Sequence, residues 1–394
     1  MLIGLIGAPS SGKSTFFKAC TLASVDIANY PFTTIKPNKG NAFVSLDCID
    51  KEFDTQCTPR EGYCVQHKRF IPVELMDVAG LVPNAHEGKG MGNEFLNNLA
   101  AADILIHVVD ISGSTNDKGE PVQPLSHDPA INVNFIESEI NLWYLSLVKK
   151  GWDKFARALR GNKELYKAIA KQLSGLKVSE ELTKEILRDF PEEIEKWNDK
   201  DLERLSILLR QKSKPIIVGC NKIDIEGSED NLINLKKKFK DIIFVPCSSE
   251  FELALREANK AGLIEYVPGS SSFNILKKEK LNEKQLNALN LIEKFLNKFG
   301  NTGVQNILNK AVFDILKYKA IFPGGVNNLI DSQGRTLPDC FLLEEKATAL
   351  EFAFRLHTDI GNGFIKAIDV KRKIPVGKDY ILKNRDIIEI KTNN

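Results

Sequence analysis

The chain has 394 residues, enough for two or three domains that each bury their own core. A hydrophobic fraction of 43% and a charged fraction of 27% describe an ordinary globular protein, and a net charge of +2 excludes a polybasic nucleic-acid binder, leaving only a local basic face. Seven scattered cysteines, an odd number, argue against a disulfide framework and for a reducing compartment.

Leu2–Ile6 is a short apolar run that reads as a strand, and Lys13–Leu22 reads as a helix. The apolar start runs straight into Gly7–Lys13 with no cleavable small-residue site, so a buried strand is expected there rather than a targeting segment. Phe70–Asp77, Ile104–Asp110, Pro215–Cys220 and Ile242–Pro246 are further strand candidates. Short apolar runs alternating with helical patterns describe an α/β domain, a mostly parallel sheet with helices on both faces. No apolar run approaches the roughly 18–20 residues that span a bilayer.

Between Asn132 and Gln211 the pattern becomes helical, with Phe135, Ile136, Ile140, Trp143 and Leu147 at helical spacing. This stretch reads as a helical insertion into the sheet domain, and a second helical region runs from about Glu250 to Leu316. The last part changes again. Lys317–Phe322, Asp339–Leu343, Lys366–Ile368, Lys378–Ile381 and Ile387–Lys391 read as short strands around a helix near Thr348–His357, a small α+β module.

Gly7-Ala8-Pro9-Ser10-Ser11-Gly12-Lys13-Ser14 matches the phosphate-loop pattern in full, after a strand and at the mouth of a helix. Its glycines let backbone N–H groups close around phosphate oxygens. Lys13 is expected on the β- and γ-phosphates and Ser14 on Mg²⁺, with Thr15 beside them. Asp77-Val78-Ala79-Gly80 follows a strand, which suits Asp77 as a Mg²⁺ carboxylate and the Gly80 N–H as a γ-phosphate contact.

Asn221-Lys222-Ile223-Asp224 also follows a strand. A carboxylate at Asp224 accepts two hydrogen bonds from guanine N1–H and N2–H₂, a pair that adenine lacks. Cys247-Ser248-Ser249 is expected to close over the base. In Tyr30–Asn38 a threonine completes the Mg²⁺ shell and senses the γ-phosphate; Thr34 is assigned, although Thr33 offers the same chemistry.

These residues together closely resemble the Obg-like GTPases, specifically the YchF branch in its archaeal form. The resemblance lies in IANYPFTTIKPNKG (Ile27–Gly40), DVAGLVPNAHEGKGMGNEFL (Asp77–Leu96) and HVVD (His107–Asp110). Leu337–Asp369 looks like part of a TGS domain, a β-grasp module. The resemblance implies a P-loop G domain over 1–131 and 212–315, a helical A domain over 132–211 and a TGS domain over 316–394. It also implies GTP hydrolysis and a ribosome or ribosomal RNA as partner, in the cytoplasm. A monomer is favoured, with no membrane or DNA partner.

Three positions qualify that expectation. Many YchF relatives carry Glu at the last place of the base motif and prefer ATP, whereas Asp224 favours GTP, with relaxed base choice as the alternative. Leu81 stands where Ras-type GTPases keep a water-orienting glutamine, so slow intrinsic hydrolysis is expected. Ser10 stands where relatives often have an Asn tied to potassium, which puts potassium activation in question. An RNA or ribosome adaptor with negligible turnover competes with the switch enzyme; a small-molecule kinase has no need of the base motif or the TGS module.

Other residues carry weaker signals. Cys48, Cys57, Cys64 and His67 form a loose set of soft ligands, for which a zinc site, a redox thiol pair and ordinary loop cysteines all stand. His86 is either a candidate for the missing glutamine's role or a mobile surface histidine. Trp143, Trp152 and Phe155 are expected to pack between helices rather than stack on bases. The basic face of Lys149, Lys150, Lys154, Arg157 and Arg160 is either solvated or an RNA contact. Gly361 and Gly363 read as a turn.

Overall fold

The computed structural model describes residues 1–22, 39–78, 98–158 and 164–393. In chain order the first half contains β1 (Leu2–Ile6), α1 (Lys13–Thr21), β2 (Lys39–Asp47), β3 (Tyr63–Val65), β4 (Lys68–Asp77), β5 (Ile104–Asp110), α2 (Pro129–Ala158), α3 (Leu165–Gln172), α4 (Glu180–Leu187) and α5 (Asp199–Ser213). The chain continues through β6 (Ile216–Asn221), α6 (Ser228–Lys238), β7 (Ile243–Pro246), α7 (Ser249–Lys260), β8 (Ile264–Glu265), β9 (Asn274–Ile275), α8 (Glu283–Phe299) and α9 (Val304–Asn309). Last come β10 (Lys319–Pro323), β11 (Phe341–Leu343), α10 (Ala349–Leu356), α11 (Thr358–Asn362), β12 (Phe364–Asp369), β13 (Ile374–Val376) and β14 (Ile387–Thr392).

Among the described residues two compact units divide these elements, one formed from Met1–Leu22, 39–40 and Glu74–Ile307, the other from Asn41–Val73 and Leu308–Asn394. In the first, the end of β4 lies beside β1, then β5, β6 and β7, every neighbouring pair parallel. β5 is buried along its whole length, as a central parallel strand covered on both faces should be. β1 has β4 on one side and β5 on the other, so the chain leaves β1 in one direction and returns in the other. The crevice beyond the carboxyl end of such a strand is where open α/β sheets bind ligands. Because the strands are parallel, the segments after β1, β4, β5, β6 and β7 all emerge at that same edge.

Two apolar clusters hold this unit together. Ile136, Ile140, Tyr144, Leu205 and Leu209 pack with Leu2, Ile6 and Leu105, while Val218, Phe244, Leu255 and Ile292 form the second cluster. The stretch from α2 to α5 is helical throughout its longer elements. Asn198 caps α5 with a reciprocal bond to Asp201, and Ser179 caps α4. Trp143 and Trp152 are buried, and Trp152 stacks on Trp197 at 5.1 Å between ring centres, so both serve packing. The helical region expected from Glu250 to Leu316 is interrupted by the short β8–β9 ladder.

The second unit holds a five-stranded sheet in the order β11-β10-β14-β12-β13, with β10 and β14 parallel and the other pairs antiparallel. α10 lays Ala349 and Phe352 against Ile321, Ala367 and Ile388, and Thr348 caps it through a capping box with Glu351. Burying a side chain such as Phe352 contributes roughly 1.5–3 kcal/mol. The strand expected at Lys378–Ile381 is absent. That segment is a turn with one bridge, Ile381 to Thr348, and the strand lies earlier at Ile374–Val376. Pro375 is tolerated within it because β13 is an edge strand, where a missing N–H donor costs little. Asn41–Val73, including most of β2 and the β3–β4 hairpin, belongs to this same unit, with Thr58 N–H donating to Thr336 O at 2.9 Å.

Among the described residues no helix is long and apolar enough to cross a membrane.

Candidate nucleotide site

The loop between β1 and α1 is shaped by two left-handed residues, Ser10 at φ 58° and Gly12 at φ 90°. Alternating backbone handedness of this kind turns successive N–H groups toward one concavity, an anion nest. Ser11 N–H bonds to Ala8 O at 3.3 Å and Phe16 N–H bonds to Gly12 O at 2.9 Å, closing the loop onto the first turn of α1. A Cβ on Gly12 would stand 2.1 Å from Asn221 Nδ2, and one on Gly7 would stand 2.5 Å from Val108 O. Both glycines are therefore demanded by close approach. Ser11 Oγ is buried with no partner among the described residues. Pro9, Ser10 and Ser14 are exposed, and Ala8, Lys13 and Thr15 are half-buried.

Lys13 forms an ion pair with Asp77 and donates to Val78 O at 3.1 Å. Strand pairing sets this up, since Leu5 of β1 lies opposite Asp77 of β4. Thr33, Thr34, Ala79, Gly80, Leu81 and His86 lie outside the described residues, as do Arg160 and the side chains of Lys154, Phe155 and Arg157.

Asn221 is a buried bracket rather than an exposed turn residue. Its Nδ2 donates to Ser11 O at 2.9 Å, and its Oδ1 accepts from Ser249 N–H at 2.9 Å. The phosphate loop and the Cys247–Ser249 segment are thus tied through one side chain. Cys247 and Ser248 are buried, and Ser248 caps α7, its Oγ accepting from Phe251 N–H. Asp224 is exposed at the same edge.

Sequence reasoning missed Asp110. Lys222, held at φ 64°, donates to Asp110 Oδ2 at 2.7 Å and to Ser114 Oγ at 3.3 Å. Ser114 and Thr115 hydroxyls also donate to Asp110 Oδ2, at 2.9 and 2.8 Å, and Ser112 N–H donates to Oδ1 at 3.0 Å. Burial pushes the Asp110 carboxyl upward, but the bonds and charge of Lys222 with those of Ser112 and Thr115 prevail and hold it below its ordinary range. The signal was present: a carboxylate ending an apolar strand, followed by Ser112, Ser114 and Thr115. His107, on the same strand, is buried, and burial lowers its pKa to about 3.

A cavity of about 230 Å³ touches only Gly7, Ala8 and Pro9 of the loop, its other walls being Asp117, Ile131, Asn132, Phe135 and Ile136. Lys13, Ser14 and Asn221–Asp224 do not line it, so it meets the phosphate loop only along Gly7–Pro9.

Three family models match the chain: a 50S ribosome-binding GTPase over residues 2–136, the G4 motif-containing domain of YGR210-like Obg-like GTPases over 219–326, and a TGS domain over 333–392. The GTP-binding protein MJ1332 of Methanocaldococcus jannaschii is 47% identical over 390 residues, covering 99% of this chain and 98% of that protein. The ribosome-binding ATPase YchF of Mycoplasma pneumoniae is 29% identical over 92% of this chain and 88% of its own. A crystal structure of a GTP-binding protein from Pyrococcus horikoshii superposes with a TM-score of 0.78 at 35% identity, covering both chains completely. A phosphate loop at the switch point, a base motif bracketed to it and a C-terminal β-grasp module all agree with these matches: the chain belongs to the Obg-like GTPase family and carries a nucleotide-hydrolase G domain with a TGS domain.

Proposed function

We propose that this protein is a Mg²⁺-dependent GTP-binding and hydrolysing switch that works on the ribosome. The observation carrying this reading is the Asn221 bracket, which couples the phosphate loop to the segment expected over the base. Gly7–Thr15 would hold the phosphates, with Asn221, Lys222, Asp224 and Cys247–Ser249 around the base. Ser14 and Asp77 supply hard oxygen donors of the kind Mg²⁺ takes, joined by Thr34. The metal ion, when bound, would neutralise charge between the β- and γ-phosphates.

Lys13 would leave Asp77 for the β- and γ-phosphate oxygens, and the loop N–H groups with that of Gly80 would stabilise charge as water attacks the γ-phosphorus in line. Lys222 is occupied by Asp110, which supports a positioning role beneath the base rather than a phosphate contact. Asp224, exposed and next to that anchor, is free to accept from guanine N1–H and N2–H₂.

A nucleotide panel tests the assignment. GTP should bind at least tenfold more tightly than ATP, and Asp224→Asn should weaken GTP and admit xanthosine triphosphate. Equal affinity of the parent for ATP and GTP would overturn the base assignment and leave relaxed base choice, whereas tighter binding of ATP would favour the ATP-preferring reading, which the name of the ATPase relative from Mycoplasma supports. The ribosomal role is supported by the description of the matching GTPase family and by that relative's name. Leu81 leaves no glutamine to orient water, so ribosomes should accelerate single-turnover hydrolysis. No basal rate and no stimulation would favour a nucleotide-tuned adaptor instead.

A further inference from the structure

We propose that Cys48, Cys57, Cys64 and Asp50 form a structural zinc site in the second unit, remote in chemistry from nucleotide binding. Their ligand atoms all lie within 4.8 Å of one another. Cys48 Sγ and Cys57 Sγ are 3.4 Å apart, and Cys64 Sγ is 3.7 Å from Asp50 Oδ2. A tetrahedral zinc with Zn–S bonds of about 2.3 Å and a Zn–O bond of about 2.0–2.2 Å separates its ligands by about 3.5–3.8 Å. These two separations match opposite edges of such a tetrahedron, and all four ligand atoms lie within 4.8 Å of one another, close enough for one ion to draw them together.

The sequence builds this from three short pieces. Cys48 directly follows β2, Asp50 lies in the single helical turn Ile49–Phe53, and Cys64 sits on β3 opposite Arg69 of β4. Gln66 and His67, both at positive φ, make the tight turn that folds β3 back onto β4. Cys48, Asp50 and Cys57 are buried and Cys64 is half-buried, so the position is dry on three sides.

The surroundings are arranged as a second layer. Asp50 Oδ2 accepts from Cys57 N–H at 2.9 Å, and Oδ1 is 3.0 Å from His67 Nδ1, which fixes the carboxylate's orientation. Buried Arg69 places Nη1 3.5 Å from Cys57 Sγ. On binding, each of three thiols releases its proton to solvent and forms a Zn–S bond, while Asp50 donates as the carboxylate. Three thiolates, one carboxylate and Zn²⁺ sum to a charge of −2, and the Arg69 guanidinium offsets part of it. Ordinary loop cysteines have no need of a shared buried carboxylate, and a thiol pair leaves Cys64 and Asp50 unused.

The full chain, purified without chelator, should contain about one zinc per molecule by plasma mass spectrometry. Cobalt added to the metal-free protein should give thiolate-to-cobalt charge-transfer bands and the strong visible absorption of tetrahedral Co²⁺, a readout that needs no variant. Cys64→Ser and Asp50→Asn should each weaken zinc at least about 100-fold in competition with a chromophoric chelator, and His67→Ala about 10–100-fold. Tryptophan fluorescence, which reports the other unit, should be unchanged in all three. Absence of zinc together with a featureless cobalt titration would overturn the proposal. So would a Cys48–Cys57 disulfide in protein that takes up no metal, or an Asp50→Asn variant that binds zinc as tightly as the parent.

Discussion

Asn221 Nδ2 stands 2.9 Å from the carbonyl oxygen of Ser11, a bond between residues 210 positions apart. The same side chain accepts from Ser249 N–H, so Asn221→Ala strands a buried carbonyl and a buried amide together. Leaving such a group unpaired costs about 1–3 kcal/mol. Because the lost contacts position the phosphate loop, Asn221→Ala should weaken guanosine and inosine nucleotides alike, by about 10- to 100-fold. Titration with fluorescent diphosphate analogues checks this. Selective loss of guanine nucleotides would show that Asn221 reads the base itself.

Asp110 gives a second test. It is buried, and Lys222 is its charged partner at 2.7 Å. Asp110→Asn removes the negative charge under an ammonium that remains about one-quarter exposed, so the loss should fall near the lower end for a broken buried pair, about 3 kcal/mol. All three tryptophans, Trp143, Trp152 and Trp197, lie in the same unit as Asp110. Guanidinium unfolding followed by their fluorescence therefore reads this change directly, and a midpoint equal to the parent's would remove Asp110 from the structural scheme.

What the sequence disclosed depended on range. The phosphate loop was legible because its mechanism needs a contiguous strand, turn and helix, and Leu2–Ile6 and Lys13–Thr21 supply them on either side. The same held for Ile104–Asp110, whose continuous apolar run marks a strand covered on both faces. The bonds from Asn221 to Ser11 and from Lys222 to Asp110 were not legible, since no periodicity links residues more than 100 positions apart. β2 escaped notice because Pro37, Asn38 and Gly40 signal a turn and its buried residues run together without alternating. Asp50 was overlooked among the soft ligands because a lone carboxylate in a loop is commonplace; only folding brings it to Cys64.

His107 should make the first unit sensitive to mild acid. Its pKa falls from an ordinary 6.5 to about 3 because burial disfavours the charged ring. Between those values the unfolded chain binds a proton that the folded chain does not. Stability attributable to this residue is therefore complete above pH 6.5 and declines as pH falls toward 3. At pH 5 the loss amounts to about 2 kcal/mol. His107→Leu should flatten the fall in unfolding free energy between pH 7 and pH 5 by that amount, measured by tryptophan fluorescence in guanidinium. An unchanged slope would assign the acid sensitivity to other groups.

Arg69 offers a test confined to the second unit. Its guanidinium is buried and forks onto two carbonyls, Nη1 to Leu337 O at 3.1 Å and Nη2 to Pro338 O at 2.9 Å. Neighbouring backbone bonds depend on that clamp: Arg60 N–H donates to Pro338 O at 2.9 Å, and Thr336 N–H donates to Thr58 Oγ1 at 2.7 Å. A lysine carries one charged nitrogen and cannot hold two carbonyls in a fixed fork. Arg69→Lys should therefore speed amide exchange at Thr58, Arg60 and Thr336 by about 10- to 100-fold, equivalent to about 1–3 kcal/mol of lost local protection. Exchange in β12 and β14, whose ladder bonds lie apart from the clamp, should stay as in the parent. If the whole unit exchanges faster instead, Arg69 supports its global stability and the clamp is not a local device.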